Sequence, residues 1–127
     1  MRKIIATKDA PAAIGTYSQA VKIDNLVFLS GQIPLVPDTM EMVEGGIEAQ
    51  IDQVFSNLAA VCKAAGGDLN QVAKFTVFLT DLGHFPKVNA AMERLLSEPY
   101  PARAAVEVSA LPRGALVEVE AILALDS

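Results

Sequence analysis

The stretch Ala115-Leu116-Val117-Glu118-Val119-Glu120-Ala121-Ile122-Leu123-Ala124-Leu125 decides the fold. Successive side chains of a β-strand point to opposite sides, so Val117, Val119, Ala121, Leu123 and Leu125 share one face. Leu116, Ile122 and Ala124 populate the other, broken by Glu118 and Glu120. The strand therefore asks for cover on both sides. Upstream, the turn Leu111-Pro112-Arg113-Gly114 separates it from another strand over 102–108.

Further upstream the period changes. Phe85, Val88, Met92 and Leu95 signal a helix that ends before Pro99. Val72 to Thr80 reads as a strand with Ala73, Phe75, Val77 and Leu79 on one face. Ile47, Ile51, Val54, Phe55, Leu58, Val61, Cys62 and Ala65 fall three and four apart, one stripe of a longer helix. Glu48 and Asp52 lie near its positive end, and Gly66-Gly67 stops it. Before it, Pro34 to Pro37 with Asp38 marks a loop. Val21 and Ile23, then Asp24-Asn25, then Leu26 to Leu29 read as a tight hairpin. The order of strands, helix, strand, helix and two strands predicts an α+β domain over 1–127, with two helices on one face of a mixed sheet. Two helices bury only one face. The opposite face is expected to meet another copy of the chain.

Composition supports one domain. The 127 residues are 52% apolar and 20% charged, an apolar excess that an oligomer would absorb. A net charge of −5 without a basic run argues against nucleic acid as a partner. No apolar run reaches a membrane span of roughly 18 residues, and no signal segment opens the chain, so a cytoplasmic location is expected. Cys62 and His84 are the only residues of their kinds, which leaves no disulfide framework and no imidazole or thiolate metal cluster. Cys62 lies on the helical stripe and reads as a core thiol; His84 reads as a surface or capping residue.

Few side chains carry chemistry. Arg103 stands among Ala102, Ala104, Ala105 and Val106, with room around a guanidinium whose fork suits a carboxylate. The competing reading is an ion pair with Glu118 or Glu120 across the sheet. Those two carboxylates share a strand face about 7 Å apart; they read as an acid/base pair if burial raises one pKa, or as a solvated face. Tyr17 and Ser18 follow Gly15 as loop donors or as plain turn residues. Ser30 has no histidine near it in sequence, which weakens a hydrolytic triad.

At these residues the chain resembles the Rid (YjgF) family of reactive intermediate deaminases. The likeness is carried by Gly15-Thr16-Tyr17-Ser18-Gln19-Ala20, Ser30-Gly31-Gln32-Ile33-Pro34, Pro37-Asp38-Thr39 with Val43, and Ile47, Gln50 and Asn57. It continues through Ala65-Gly66-Gly67, Phe85 with Val88-Asn89, Pro101-Ala102-Arg103, Val106-Glu107-Val108, Leu111-Pro112 and Glu118-Val119-Glu120-Ala121. Each motif is weak alone, and their shared order is specific.

The resemblance implies a chorismate-mutase-like α+β fold, a homotrimer with its sheets inward, and sites in the clefts between subunits. It implies hydrolysis of 2-imino acids or their enamines, such as 2-iminobutanoate and 2-iminopropanoate, to 2-oxo acids and ammonia, with no metal and no cofactor. By the same resemblance Arg103 grips the substrate carboxylate and Glu118 orients water and moves protons. Tyr17, Ser30, Gly31 and Asn89 line the pocket, and the carbonyl of Ala105 helps hold the water. Ala105 replaces a cysteine common in the family, and Thr16 replaces a proline before Tyr17. The alternatives are a regulatory trimer that binds small carboxylates without catalysis and, less favoured by the charge, an RNA-cleaving inhibitor of translation.

Overall fold

Six strands and two helices make up the computed structural model, which describes residues 1–126. In chain order they are β1 (Lys3–Ile5), β2 (Ala20–Ile23), β3 (Leu26–Gln32), α1 (Ile47–Ala64), β4 (Val72–Leu79), α2 (Phe85–Leu95), β5 (Ala102–Glu107) and β6 (Val117–Ala124). The strands form one sheet in the order β1-β2-β3-β6-β4-β5. Neighbours run antiparallel except β4 and β5, which are parallel and joined through α2. The α+β reading of the sequence holds.

The strand that was expected to need cover on both faces, β6, sits inside the sheet between β3 and β4. Val117, Val119, Ala121 and Leu123 are buried beneath the helices, where Ile51, Val54, Phe55, Leu58 and Val61 of α1 complete the core. Phe55 meets Phe75 of β4 edge to face, with ring centroids 5.7 Å apart. The other face is uncovered. Ile4, Val21, Phe28 and Ile122 align there across four strands by register, and Ile4 and Phe28 remain 53% and 43% exposed.

The hairpin of β2 and β3 closes where the sequence placed it, with Ile23 opposite Leu26 and Asp24 at φ 54°. Two details depart from the expected pattern. Strand β1 was not anticipated, because Lys3–Ile5 is too short to show a period. Ala73 is exposed instead of joining Phe75, Val77 and Leu79. The register with β6 jumps from Val72–Leu123 to Lys74–Ile122, so Ala73 is the extra residue of a bulge and Val72 takes the buried position. No helix among the described residues is long and apolar enough to cross a membrane.

Cys62 has no exposed surface. Burial, with the charge of Asp68 adding to it, pushes its thiol up to about 12, so the nucleophilic thiolate is absent at neutral pH. We expect Cys62→Ser to lower unfolding free energy by roughly 1–3 kcal/mol, because a hydroxyl there lacks a partner. Native protein should also react with a thiol reagent only as fast as it unfolds; rapid labelling of the folded chain would contradict this placement.

Candidate functional site

Arg103 leaves β5 on the helix side, beside Phe75 of β4 in the parallel register. Its guanidinium stacks over the ring of Phe85, 4.6 Å from the centroid. Its Nη1 donates to Oδ1 of Asn89 at 2.8 Å and lies 3.8 Å from the sulfur of Met92. Asn89 is fixed in turn, since its Nδ2 donates to Glu93 one helical turn on, at 2.8 Å. Among the described residues no carboxylate pairs with Arg103; the two ion pairs are Lys87–Glu48 and Arg94–Asp52. The expected ion-pair alternative with Glu118 or Glu120 is therefore corrected. Arg103 and the two glutamates occupy opposite faces of the sheet, because Arg103 pairs with Phe75 whereas Glu118 and Glu120 pair with Phe78 and Thr76. The guanidinium is oriented, uncompensated and open to a cavity of about 560 Å³ lined by Asn89, Met92, Glu93, Tyr100 and Pro101.

Strand β5 is the edge of the sheet, so half its backbone groups lack a ladder partner. Val108 N–H donates to Leu79 O at 2.8 Å, which turns the alternate residues Val106 and Ala104 toward β4. The N–H and C=O of Arg103, Ala105 and Glu107 consequently point off the edge. The Ala105 carbonyl thus stands as a free acceptor two residues from Arg103.

A second cluster gathers at the end of the uncovered face. Between Leu29–Ala121 and Gln32–Val119, β3 spends one residue more than β6, and Ser30-Gly31 form this bulge. The bulge brings Gly31 against Glu118. A Cβ on Gly31 would stand 2.5 Å from Oε2 of Glu118, so the carboxylate occupies the room that glycine leaves. Burial, then the charge of Glu120, raises the Glu118 pKa above its ordinary value. Glu120 itself is exposed. Tyr17, Gly31 and Glu118 line one cavity of about 520 Å³ with Ile14, Leu35 and Arg113 among its other walls.

The loop carrying Tyr17 is tied down from below. Ser30 Oγ donates to Ser18 O at 2.6 Å, and Ser30 N–H donates to Gln19 O at 3.0 Å. Ser30 therefore spends its proton on the loop and holds Tyr17 in place. Gln19, buried, bonds Thr7 through both N–H and C=O and reaches the carbonyls of Ala10 and Pro11. Gln50 and Asn57 act similarly from α1. Gln50 Oε1 accepts from Leu116 N–H at 2.8 Å, and Asn57 Nδ2 donates to Leu35 O at 2.9 Å. Their structural use was not read from the sequence, although polar residues set into an apolar helical stripe are its signal. His84 occupies the N-cap position of α2 but makes no side-chain capping bond. Among the described residues no group of three or more His, Cys, Asp or Glu side chains could hold a metal ion.

The structure thus brings Arg103, Asn89 and the Ala105 carbonyl together, and Tyr17, Gly31 and Glu118 together with Ser30 beneath them. Within one protomer it does not unite the two groups. A mixed sheet with a paired-helix cover, an oriented arginine at its edge and a half-buried glutamate on its bare face define the class: an α+β protein with two candidate half-sites.

Comparison with known proteins places it among relatives. The family described as Endoribonuclease L-PSP matches residues 7–125, and the chain belongs to this family, also called YjgF, RutC or Rid. It is 48% identical to the 2-iminobutanoate/2-iminopropanoate deaminase of Mus musculus over 96% of this chain and 90% of that protein. RidA from the Antarctic bacterium Psychrobacter sp. PAMC 21119 superposes with a TM-score of 0.94 at 57% identity, covering 97% of this chain and 99% of that one. Escherichia coli TdcF, solved with bound serine, gives a TM-score of 0.89 at 37% identity over 98% and 99% of the two chains.

Because folding raises the Glu118 pKa, the folded state holds that proton more tightly than the unfolded chain. Its contribution favours folding below the ordinary carboxylate range and is lost as pH rises from there through the raised value of the folded state. Glu118→Gln should therefore raise Tm at pH 7 relative to wild type, and the gain should vanish near pH 3.5, below the usual glutamate range of about 4.3. Thermal unfolding at the two pH values checks the sign. Gly31→Ala should fold but displace the carboxylate, abolishing that pH-dependent difference.

Proposed function

We propose that the protein hydrolyses 2-imino acids to 2-oxo acids and ammonia, in clefts shared between the subunits of a homotrimer. The observation that carries this reading is an unpaired, oriented Arg103 on one side of the sheet and a half-buried Glu118, its pKa raised by burial, on the other. A second copy that sets its Glu118 face against the Arg103 edge of the first would complete one site. Three copies that repeat this contact around a three-fold axis would complete three such sites. The apolar row Ile4, Val21, Phe28 and Ile122 would then be buried. The names of the mouse relative and of TdcF with its bound serine support small amino-acid-derived ligands.

Chemically the kit suffices. Arg103 spends one N–H on Asn89 and retains donors for a substrate carboxylate. The imine carbon is already electrophilic and more so once its nitrogen is protonated, so catalysis reduces to placing a water and moving protons. Water, held between Glu118 and the outward carbonyl of Ala105, adds its oxygen to C2 while its proton passes to Glu118. Glu118 returns that proton to nitrogen, then relays the hydroxyl proton to the same nitrogen, and the C–N bond breaks to release ammonia and the 2-oxo acid. A carboxyl whose pKa is raised by burial serves both as acceptor and as donor in this cycle. The net charge of −5 offers little attraction to RNA phosphates.

The test is an assay in which an amino-acid oxidase supplies the imine and a nucleophilic trap reports its lifetime. Glu118→Gln should slow turnover by about 10²–10⁴-fold with 2-oxo acid affinity little changed. Arg103→Lys keeps charge but loses the fork, and should weaken 2-oxo acid binding by about 1.5–3 kcal/mol. Sedimentation equilibrium should give three times the 13.4 kDa chain mass. A wild type that binds 2-oxo acids without hastening imine loss would make the protein a carboxylate-binding regulator instead.

A further inference from the structure

The loop between β3 and α1 folds back on itself. Val36 N–H donates to Glu41 O and Met40 N–H to Val36 O, each at 2.8 Å, and Val43 N–H donates to Pro34 O at 2.9 Å. Leu35 and Met42 pair as an isolated bridge. Asn57 pins the base of this loop through Leu35 O, as described above. The tip is held from elsewhere. Arg113 Nη1 donates to Met40 O at 2.8 Å, across 73 residues of chain.

Both partners are conformationally unusual. Among the described residues three non-glycine ones have positive φ: Asp24, Met40 at 60° and Arg113 at 58°. Asp24 closes the hairpin. The other two are the two ends of this one hydrogen bond. Left-handed backbone is unfavourable for a residue with a Cβ, and it persists where surrounding contacts over-determine it, frequently beside a functional site. Here Met40, Leu35 and Arg113 line the same cavity as Glu118.

We propose that Arg113 is a positioning residue that latches the loop at Met40 and so fixes an apolar wall that selects the substrate side chain. The inference rests on the imine hydrolase reading and deepens it. Ile14, Ile33, Leu35, Met40 and Pro112 give the cavity an apolar lining away from Glu118, and its volume of about 520 Å³ exceeds the need of a methyl or ethyl group. Arg113 spends one N–H on the Met40 carbonyl, which holds that residue in the wall. The site is thereby suited to 2-imino acids with branched or longer apolar side chains. Without the latch, Met40 and Leu35 lose their fixed positions and a long side chain loses its contacts, whereas a short one has none to lose.

The experiment compares imines from leucine and from alanine on wild type, Arg113→Ala, Arg113→Lys and Met40→Ala. Wild type should show the higher kcat/KM for the leucine-derived imine. Arg113→Ala should raise KM for that imine about tenfold, the equivalent of losing the burial of one or two methylene groups. KM for the alanine-derived imine, and kcat for both, should stay within about twofold. Arg113→Lys, which still offers a donor to Met40 O, should recover most of the loss, and Met40→Ala should reproduce part of it. Equal losses for both imines, or no change in KM, would overturn the latch while leaving the hydrolase reading intact. If wild type hydrolyses neither imine, that reading fails. Calorimetric titration of 4-methyl-2-oxopentanoate and 2-oxopropanoate on the same proteins then decides the latch: it stands if Arg113→Ala weakens only the longer acid, and falls otherwise.

Discussion

A sheet has two faces, and this chain supplies helices for only one of them. Nearly every other feature follows from that shortage. The stripe of α1 and the buried side of β6 close a core on the helix side, with Val54, Leu58, Val61, Val117, Val119 and Leu123 all fully buried. The opposite side keeps an apolar row that water disfavours. Arg103, at the edge strand, turns toward α2 and shares the covered side, whereas Glu118, near the sheet centre, shares the bare one. The thickness of the sheet separates them. Burial of the bare face and assembly of a complete site are therefore one requirement under the reading proposed above, and an isolated protomer meets neither.

The two half-sites are prepared differently. At Arg103 the work is orientation: a ring beneath the guanidinium, an amide on one N–H and a second hydrogen bond behind that amide leave it little freedom. At Glu118 the work is desolvation. Removal of water and the neighbouring charge of Glu120 favour the protonated form, and the missing Cβ of Gly31 makes room for the group. Under the reading proposed above, fixed geometry at Arg103 and a carboxyl of raised pKa at Glu118 suit an addition to an electrophilic carbon, which asks for no strong base.

Much of this was legible in the chain because periodicity encodes burial. The eight-residue stripe from Ile47 to Ala65 lies in the core as its spacing predicts, and the two-faced pattern of 115–125 belongs to a strand buried on the helix side and apolar at Ile122 on the bare one. What stayed hidden has physical reasons. A three-residue strand such as β1 has too few alternations to register, and a bulge at Ala73 shifts the phase of a strand in a way that composition does not mark. The faces of Arg103 and Glu118 could not be compared from sequence, since that needs the register of β4 against both β5 and β6. For the same reason the ion-pair alternative stayed open until pairing placed the residues on opposite sides. The hydrogen bond from Arg113 to Met40 spans 73 residues and leaves no local signature.

The two departures from the family pattern can be weighed against the structure. Ala105 presents its carbonyl off the edge of β5, and that direction is set by the ladder with β4 whatever the side chain. Loss of a thiol there changes the wall and leaves the acceptor. Thr16 removes a proline that would have stiffened the approach to Tyr17. The loop is nonetheless anchored just after that tyrosine. Gly15 adopts φ 121°, open only to glycine without strain, and Ser30 fastens Ser18 and Gln19 by donating to their carbonyls at 2.6 and 3.0 Å. The anchorage that proline would give locally comes instead from β3, the strand whose bulge seats Gly31 against Glu118. Tyr17 and Glu118 are thereby referred to the same piece of backbone, and the distance between them depends on β3 rather than on the stiffness of the loop.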